Sequence, residues 1–597
     1  MASRYFAALL LSVGTLAGCA AAPTRPAAVN RGDHEAVRRH LEAVVRHQMR
    51  KHDVTGLSIA LVDDQRVLWA QGFGWADREN KVAATPQTIY RVGSISKLFT
   101  ATAAMQLAER GRLDIDQPLK KVLPEFSIGS RYAGTEAITP RQLMSHHAGL
   151  PRDVLKGMWS TQPVPFTQTV HDLRESDAAY PPDTVFAYSN TGVALLGHAI
   201  QNVSGQEFHV HMERSLLRPL GMADSAFLPG VSPSPLMAKA YLRGKLTDEP
   251  PLGNTPAGGL NSSVLDLGRF LSMVFAQGRV GEQQIVKRET LAEMLRPQNR
   301  GVALDVGFGT GLGWMLSTLG TDAIRNAGPV IHHNGATVMF RSQMFALPEH
   351  KLGVVVLSNA STAGEAVNRI AGEALSFALE AKSGIRQPAL QKLPRAETPW
   401  APDAMQAYMG DYTTALGHMR IRTKGQGLRI DALGQRAALV PRSDGRLALE
   451  YRLLGLIPIS LGDLDHVGIS QRRIAGRDVL VARIGEQDML LGEKIVAPAS
   501  LGPWLQRSGE YEIGNLGNDH PFVGKVLVKH ERGLLLVEAT MNDEPGQVLR
   551  WPLMPLSDTQ ALLLGPLRDA GEVLRWSDGA DGEQVEFAGY TLRRIDP

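Results

Sequence analysis

Apolar positions change their period along the chain, and those changes outline its parts. From Asp33 to about Lys51, Val37, Leu41, Val44, Val45 and Met49 recur at helical spacing among charged residues, which predicts an amphipathic helix. Two apolar runs, 56–62 and 66–70, flank Asp63-Asp64-Gln65, a hairpin signal. Residues 95–109, rich in Ala, Leu and Met, predict a helix, and residues 138–270 read as mostly helical with long Pro/Gly loops. Strand patterns return at 341–346 and 352–357, followed by a helix expected from about Glu365 to Leu379. Strands at both ends of a helical middle predict an α/β (α+β) sandwich, one antiparallel sheet built from distant segments and flanked by helices.

The texture then changes. Pro388, Pro394, Pro399 and Pro402 mark a linker at 386–402, and beyond it short alternating strands and turns show no clear helix. Gly410-Asp411-Tyr412 recurs as Gly509-Glu510-Tyr511, and the second copy follows Pro498 and Pro503. The repeat predicts all-β C-terminal barrel-like modules at 403–497 and 503–597, with a single larger barrel as the alternative.

At the other end, a short apolar stretch after Arg4 reads as a secretory signal over residues 1–18, too short to span a bilayer as a mature helix. It ends at Leu16-Ala17-Gly18-Cys19, which resembles the lipobox cut by bacterial lipoprotein signal peptidase. The resemblance implies that Cys19, the one cysteine among 597 residues, becomes the lipidated first residue. Residues 19–32 would be a tether, with the mature chain lipid-anchored on the periplasmic side of a bacterial envelope. Ala20 resembles the residue after the cysteine in lipoproteins sorted to an outer membrane. A single cysteine excludes an internal disulfide and cysteine-rich metal sites. A formal net charge of +3, with no basic stripe, argues against nucleic acid as a partner.

Three short motifs carry candidate chemistry. Ser94-Ile95-Ser96-Lys97 is the one Ser-x-x-Lys of the chain, and at the start of a helix positions i and i+3 share a face. A serine hydroxyl needs a base, and a desolvated lysine supplies one. No acidic residue follows Lys97 before Glu109, the surrounding that depresses a lysine pKa. Tyr188-Ser189-Asn190 is second: a phenol can relay protons and an amide can hold a lysine or a substrate carbonyl, although Pro181-Pro182-Asp183 before it also suits a plain turn. His333-Asn334-Gly335 is third, a cation on a sheet edge, with a glycine that admits a substrate backbone and Ala336 to donate an N–H. His147-Ala148-Gly149, Lys351-Leu352-Gly353 and Lys382-Ser383-Gly384 fit the same loose pattern.

Ser-x-x-Lys, Tyr-x-Asn and His-x-Gly in this order resemble the serine β-lactamase-like hydrolases, in the branch of class C β-lactamases, DD-peptidases, D-aminopeptidases and esterases. The likeness runs from about 33 to 385. It includes Leu143-Met144-Ser145-His146-His147-Ala148-Gly149-Leu150-Pro151, Leu217-Arg218-Pro219-Leu220-Gly221-Met222, Pro256-Ala257-Gly258-Gly259-Leu260 and Gly311-Leu312-Gly313-Trp314. It implies the β-lactamase/transpeptidase fold and a covalent acyl-enzyme on Ser94, with Lys97 as base or relay and Tyr188 handling protons of leaving group and water. It further implies that Asn190 orients Lys97 and the substrate, and that the backbone N–H groups of Ser94 and Ala336 form the oxyanion hole. His333, Asn334 and Gly335 would line the substrate. The residues leave open whether Lys97 or Tyr188 is the acylation base. No cofactor or metal is implied, and the expected partner is a small molecule or peptide, including peptidoglycan fragments.

Two departures bear on substrate. Val338-Met339-Phe340 stands where a Gly-Phe pair is usual, which predicts a narrower strand end beside the site. His333 replaces the lysine of the usual Lys-Thr-Gly, and histidine is the weaker cation near neutral pH, so strong recognition of a penicillin carboxylate is not expected. A catalytically inert peptidoglycan-binding lipoprotein and an efficient class C-like β-lactamase are the alternatives. The glycine-rich run Gly307-Phe308-Gly309-Thr310-Gly311-Leu312-Gly313 lacks the lysine of a phosphate loop and is expected to be a twisted strand.

Overall fold

The computed structural model describes residues 22–132, 137–317, 323–389, 394–396, 400–415, 417–425, 427–453, 457–498, 500–542, 548–565, 571–579 and 582–595. The signal segment 1–18 and Cys19 lie outside them. Among the described residues no helix is long and apolar enough to cross a membrane.

Helix α1 (His34–Lys51) starts where the Asp33 carboxylate accepts the Ala36 N–H, an N-cap. Strands β1 (Gly56–Asp63) and β2 (Arg66–Asp77) follow, with the short β3 (Val82–Ala83), helix α2 (Ser96–Glu109) and helix α3 (Asn190–Ser204). Helix α4 (Val264–Phe275), strands β4 (Ile331–Ala336), β5 (Arg341–Leu347) and β6 (Leu352–Ser358), and helix α5 (Gly364–Ser383) complete the main domain. The sheet runs β4-β5-β6-β1-β2-β3, with antiparallel neighbours, so the last strands of the domain pair directly with the first.

The strand period explains the sandwich. Ala60, Val62, Met344, Ala346, Val355 and Leu357 face one core, with α2 and α4. Leu57, Ile59, Leu61, Phe345, Leu347, Val354 and Val356 face the other, with α1 and α5. Both faces are covered, which is why β1 and β6 read as continuous apolar runs. The expected tether is partly bound: Val29 N–H donates to Glu380 at 3.2 Å and Gly32 N–H to the Ala381 carbonyl at 2.9 Å, both on α5.

The C-terminal region is two eight-stranded barrels. In the first, Gly410–Thr414 pairs with Gln487–Lys494 and Gln435–Pro441 with Leu447–Leu453 to close the ring, with Ile457–Ile459 added at one edge. The second closes Gly509–Ile513 against Tyr590–Arg594. The repeated tripeptide opens each barrel: the buried Tyr412 hydroxyl donates to the Tyr408 carbonyl at 2.8 Å, and the buried Tyr511 hydroxyl to the Arg507 carbonyl at 3.0 Å. A short helix, Pro402–Gln406, precedes the first barrel, a departure from the helix-free reading. The glycine-rich run is also not a strand. It is an irregular loop, because Gly311 packs on the Met294 carbonyl and Gly313 on Ala101 and the Lys97 carbonyl, with room for no side chain.

Candidate active site

The nucleophile candidate sits on a turn that only a glycine permits. Gly93 has φ +54°, and a Cβ there would lie 2.7–2.9 Å from the N, C and O atoms of Ala336. The chain therefore passes from Val92 through a 3-10 turn, Gly93–Ile95, into α2 with its backbone pressed on the end of β4. Ser96 Oγ locks the corner by donating to the Gly93 carbonyl at 2.6 Å and accepting the Leu260 N–H at 3.0 Å. Gly335 is tight for the same reason: a Cβ would meet the Val92 carbonyl oxygen at 1.9 Å. Packing inside the chain thus already requires that glycine, independently of the room it would leave for a substrate backbone.

Helix α2 is buried on all sides from Ser96 to Leu107, so Lys97 has no solvent face to reach. Its Nζ lies 3.0 Å from Ser94 Oγ and donates to the Ala257 carbonyl at 2.7 Å. Burial pushes the Lys97 pKa down, against an opposing pull from Tyr188, whose ring centroid is 5.0 Å from Nζ. A lysine held this way can be neutral and accept a proton.

Tyr188 is 8% exposed and is held from behind by His146, whose ring lies 4.4 Å away and whose Nδ1 accepts the Ser189 N–H at 3.2 Å. His333 sits on β4 with its ring centroid 6.3 Å from that of Tyr188 and its Nδ1 2.7 Å from the Asn334 carbonyl. Its neighbour His332 faces the other way, against Phe345 and the Ser317 carbonyl. Ser94, Lys97, Tyr188 and His333 thus converge, with Ala336 against Gly93.

Asn190 opens α3 but is held differently from the expectation. Its side-chain amide donates to Asp153 at 2.8 Å, and the Lys97 amine takes its orientation from Ala257 instead. The physical reason is local: Asp153 offers a carboxylate to the Asn190 amide, and the Ala257 carbonyl, in the short helix Thr255–Gly258, accepts from Lys97. Val338, Met339 and Phe340 are buried rather than rimming the site, because Glu249, itself buried with Arg91 at 3.7 Å, accepts the Met339 N–H at 2.8 Å.

Sequence reasoning missed the supports. His147, a rival for the cation, is buried and paired with Asp305 at 2.9 Å, while Asp305 also accepts the Phe186 N–H at 2.7 Å and the Asn299 amide. This network fixes the extended segment that leads into Tyr188. The runs 143–151 and 256–260 contain His146, His147 and Ala257, so the signal lay in those flanks. Among the described residues no group of three or more His, Cys, Asp or Glu could hold a metal ion.

A sequence profile described as Beta-lactamase matches residues 41–377. The chain belongs to the beta-lactamase family. Its members are serine hydrolases of the β-lactamase and penicillin-binding-protein type. "Protein flp" of Staphylococcus aureus is 26% identical over 330 residues, 53% of this chain and 62% of that protein, so the chain spans less than two thirds of that relative. The octameric penicillin-binding protein homologue from Pyrococcus abyssi superposes with a TM-score of 0.50 at 26% identity, covering 76% of this chain and 98% of its own. SurE, solved with D-Leu, gives a TM-score of 0.53 at 25% identity, covering 76% and 100%.

Proposed function

We propose that this protein cleaves an amide or ester through a covalent acyl-enzyme on Ser94. The observation that carries the reading is the buried Lys97 amine 3.0 Å from the Ser94 hydroxyl. A neutral amine has two N–H bonds and one lone pair. Ala257 takes one N–H, and the lone pair is left for the serine proton. Ser94 Oγ attacks the carbonyl carbon as its proton passes to Lys97, and the oxyanion is met by the Ser94 and Ala336 N–H groups. The scissile bond breaks, the leaving amine or alcohol takes the proton from Lys97 through the Tyr188 hydroxyl, and the acyl group stays on Ser94. Water then adds to the acyl carbon and gives its proton to the Tyr188–Lys97 pair, which returns it to Ser94.

Within this chemistry, D-amino-acid peptides, D-amino-acid amides and short esters are favoured over β-lactams. Support comes from His333 in place of a lysine and from the likeness to SurE, solved with D-Leu. Mass spectrometry after a fluorophosphonate or a penicillin tests the acyl-enzyme: an adduct on Ser94 is expected, and none under several reagents refutes it. A panel of nitrocefin, D-alanyl-D-alanine peptides, D-amino-acid amides and p-nitrophenyl esters tests the substrate class, and fastest turnover of nitrocefin overturns the preference. The reading extends to location: lipid on Cys19 would hold the enzyme on the periplasmic side of a bacterial envelope, at an outer membrane, near peptidoglycan-derived substrates. Equal solubility of the parent and Cys19→Ser after cell fractionation would refute the anchor.

A further inference from the structure

The loop 151–161 beside the site has almost no secondary structure of its own, so its backbone donors need partners from elsewhere. The second barrel supplies several of them. Leu155 and Lys156 N–H donate to the Ala588 carbonyl at 2.9 and 3.2 Å, and Thr161 N–H to the Asn518 carbonyl at 3.2 Å. Asp519 accepts the Gly157 N–H and the Lys156 ammonium, both at 2.9 Å.

One of these contacts leads to the reacting groups. Glu572 Oε1, 420 residues distant in sequence, accepts the Arg152 N–H at 2.9 Å. The Arg152 carbonyl accepts the backbone N–H groups of Asn190 and Thr191 at 2.8 and 3.2 Å, and Asp153 holds the Asn190 side chain. Hydrogen bonds therefore run unbroken from the barrel to the start of α3. The barrel is pinned on either side of Glu572: a Cβ on Gly571 would lie 2.8 Å from Ala179, and Arg575 pairs with Asp177.

We propose that Glu572 is a positioning residue for the reaction, holding Arg152 and Asp153 and through them Asn190, so that the second barrel is part of the active site's support. This rests on the reading of Ser94 as the acylated nucleophile. Nothing here requires Glu572 to touch substrate. What it supplies is an acceptor at a fixed point for the Arg152 N–H.

The full chain is compared as parent, Glu572→Ala, Glu572→Asp and Glu572→Gln. Fluorophosphonate labelling of Ser94 and hydrolysis of D-alanine p-nitroanilide and p-nitrophenyl acetate are followed. Alanine removes the acceptor and aspartate withdraws it by one methylene, and either is expected to lower kcat/KM about tenfold to a hundredfold. Glutamine keeps an acceptor oxygen and is expected to restore most of the loss. The small phosphonate needs Ser94, Lys97 and the Ser94 and Ala336 N–H groups but no contact with Asn190, so its labelling rate is expected to stay within about threefold of the parent in all variants. A labelled parent with parental kcat/KM in the alanine or aspartate variant overturns this proposal alone, as does glutamine performing no better than alanine. Absence of labelling in the parent overturns the serine-hydrolase reading, and this proposal with it.

Discussion

Replacing Lys97 with methionine separates activity from stability. The substitution keeps most of the side chain's length and removes the amine that stands 3.0 Å from Ser94 Oγ. A positioned base contributes about 10²–10⁴-fold, so fluorophosphonate labelling of Ser94 should slow by at least about a hundredfold. Stability moves by a different rule. Burial lowers the Lys97 pKa in the folded chain, whereas in the unfolded chain it returns to about 10.4. Between those two values the unfolded state binds more protons than the folded one. Stability therefore rises with pH across that window, by up to about 1.4 kcal/mol per pH unit, and the rise stops above the unfolded value. In Lys97→Met this contribution disappears, while the Ala257 carbonyl loses its donor at a cost of about 1–3 kcal/mol. The assay pairs labelling kinetics with denaturant midpoints of the hydrolase-domain transition from pH 6 to 10. Labelling at the parental rate would make Tyr188 the sole base. Identical pH slopes in parent and variant would mean that Lys97 is not held neutral by burial.

Three further substitutions probe the supports. Gly93→Ala places a Cβ 2.7 Å from Ala336 N at φ +54°, and should slow Ser94 labelling about a hundredfold or more with far-UV circular dichroism unchanged; a parental rate would refute the apposition of the two backbones. Asp305→Ala leaves His147 and the Phe186 N–H without their shared acceptor and should cost about 1–3 kcal/mol for each stranded donor in denaturant unfolding; a loss near zero would show that the network does not fix the segment that leads into Tyr188. Arg91→Met and Glu249→Leu should each cost about 3–5 kcal/mol alone and much less together, because each single change strands a buried charge. Additive losses in that cycle would mean that the two groups are not energetically coupled.

What was legible in the sequence was local or periodic. Ser94 and Lys97 are one helical turn apart, so their meeting needs only α2, and the apolar run after Lys97 already implied a dry amine. The apolar run of β6 announced a strand of a sheet covered on both faces, and the tyrosines at 412 and 511 announced two barrels because each closes its own corner. Contacts set by loop docking left no such trace. His147 and His333 fit one pattern, and the choice between them depends on Asp305, which reaches His147 from 158 residues away. Asn190 looked like a partner for Lys97 because nothing in its motif announces Asp153. The run at 307–313 carries glycines because helix and loop backbones approach there, and a strand with the same composition would look no different.

Gly93 and Gly335 show how far the site depends on such approaches. Each faces backbone of the other's segment: Gly93 meets Ala336, and Gly335 meets the Val92 carbonyl. Two side chains at these positions would push β4 away from the start of α2, and with it the Ala336 N–H away from the Ser94 N–H. The buried Arg91–Glu249 pair acts on the same two segments, since Arg91 lies two residues before Gly93 and Glu249 holds Met339 three residues after Ala336. A buried ion pair is a poor source of net stability, but a charge that cannot be left unpaired fixes the separation of the segments that carry it. The proposed oxyanion donors belong to segments far apart in the chain, and removing either glycine or either member of the pair should therefore weaken acylation even where the fold survives.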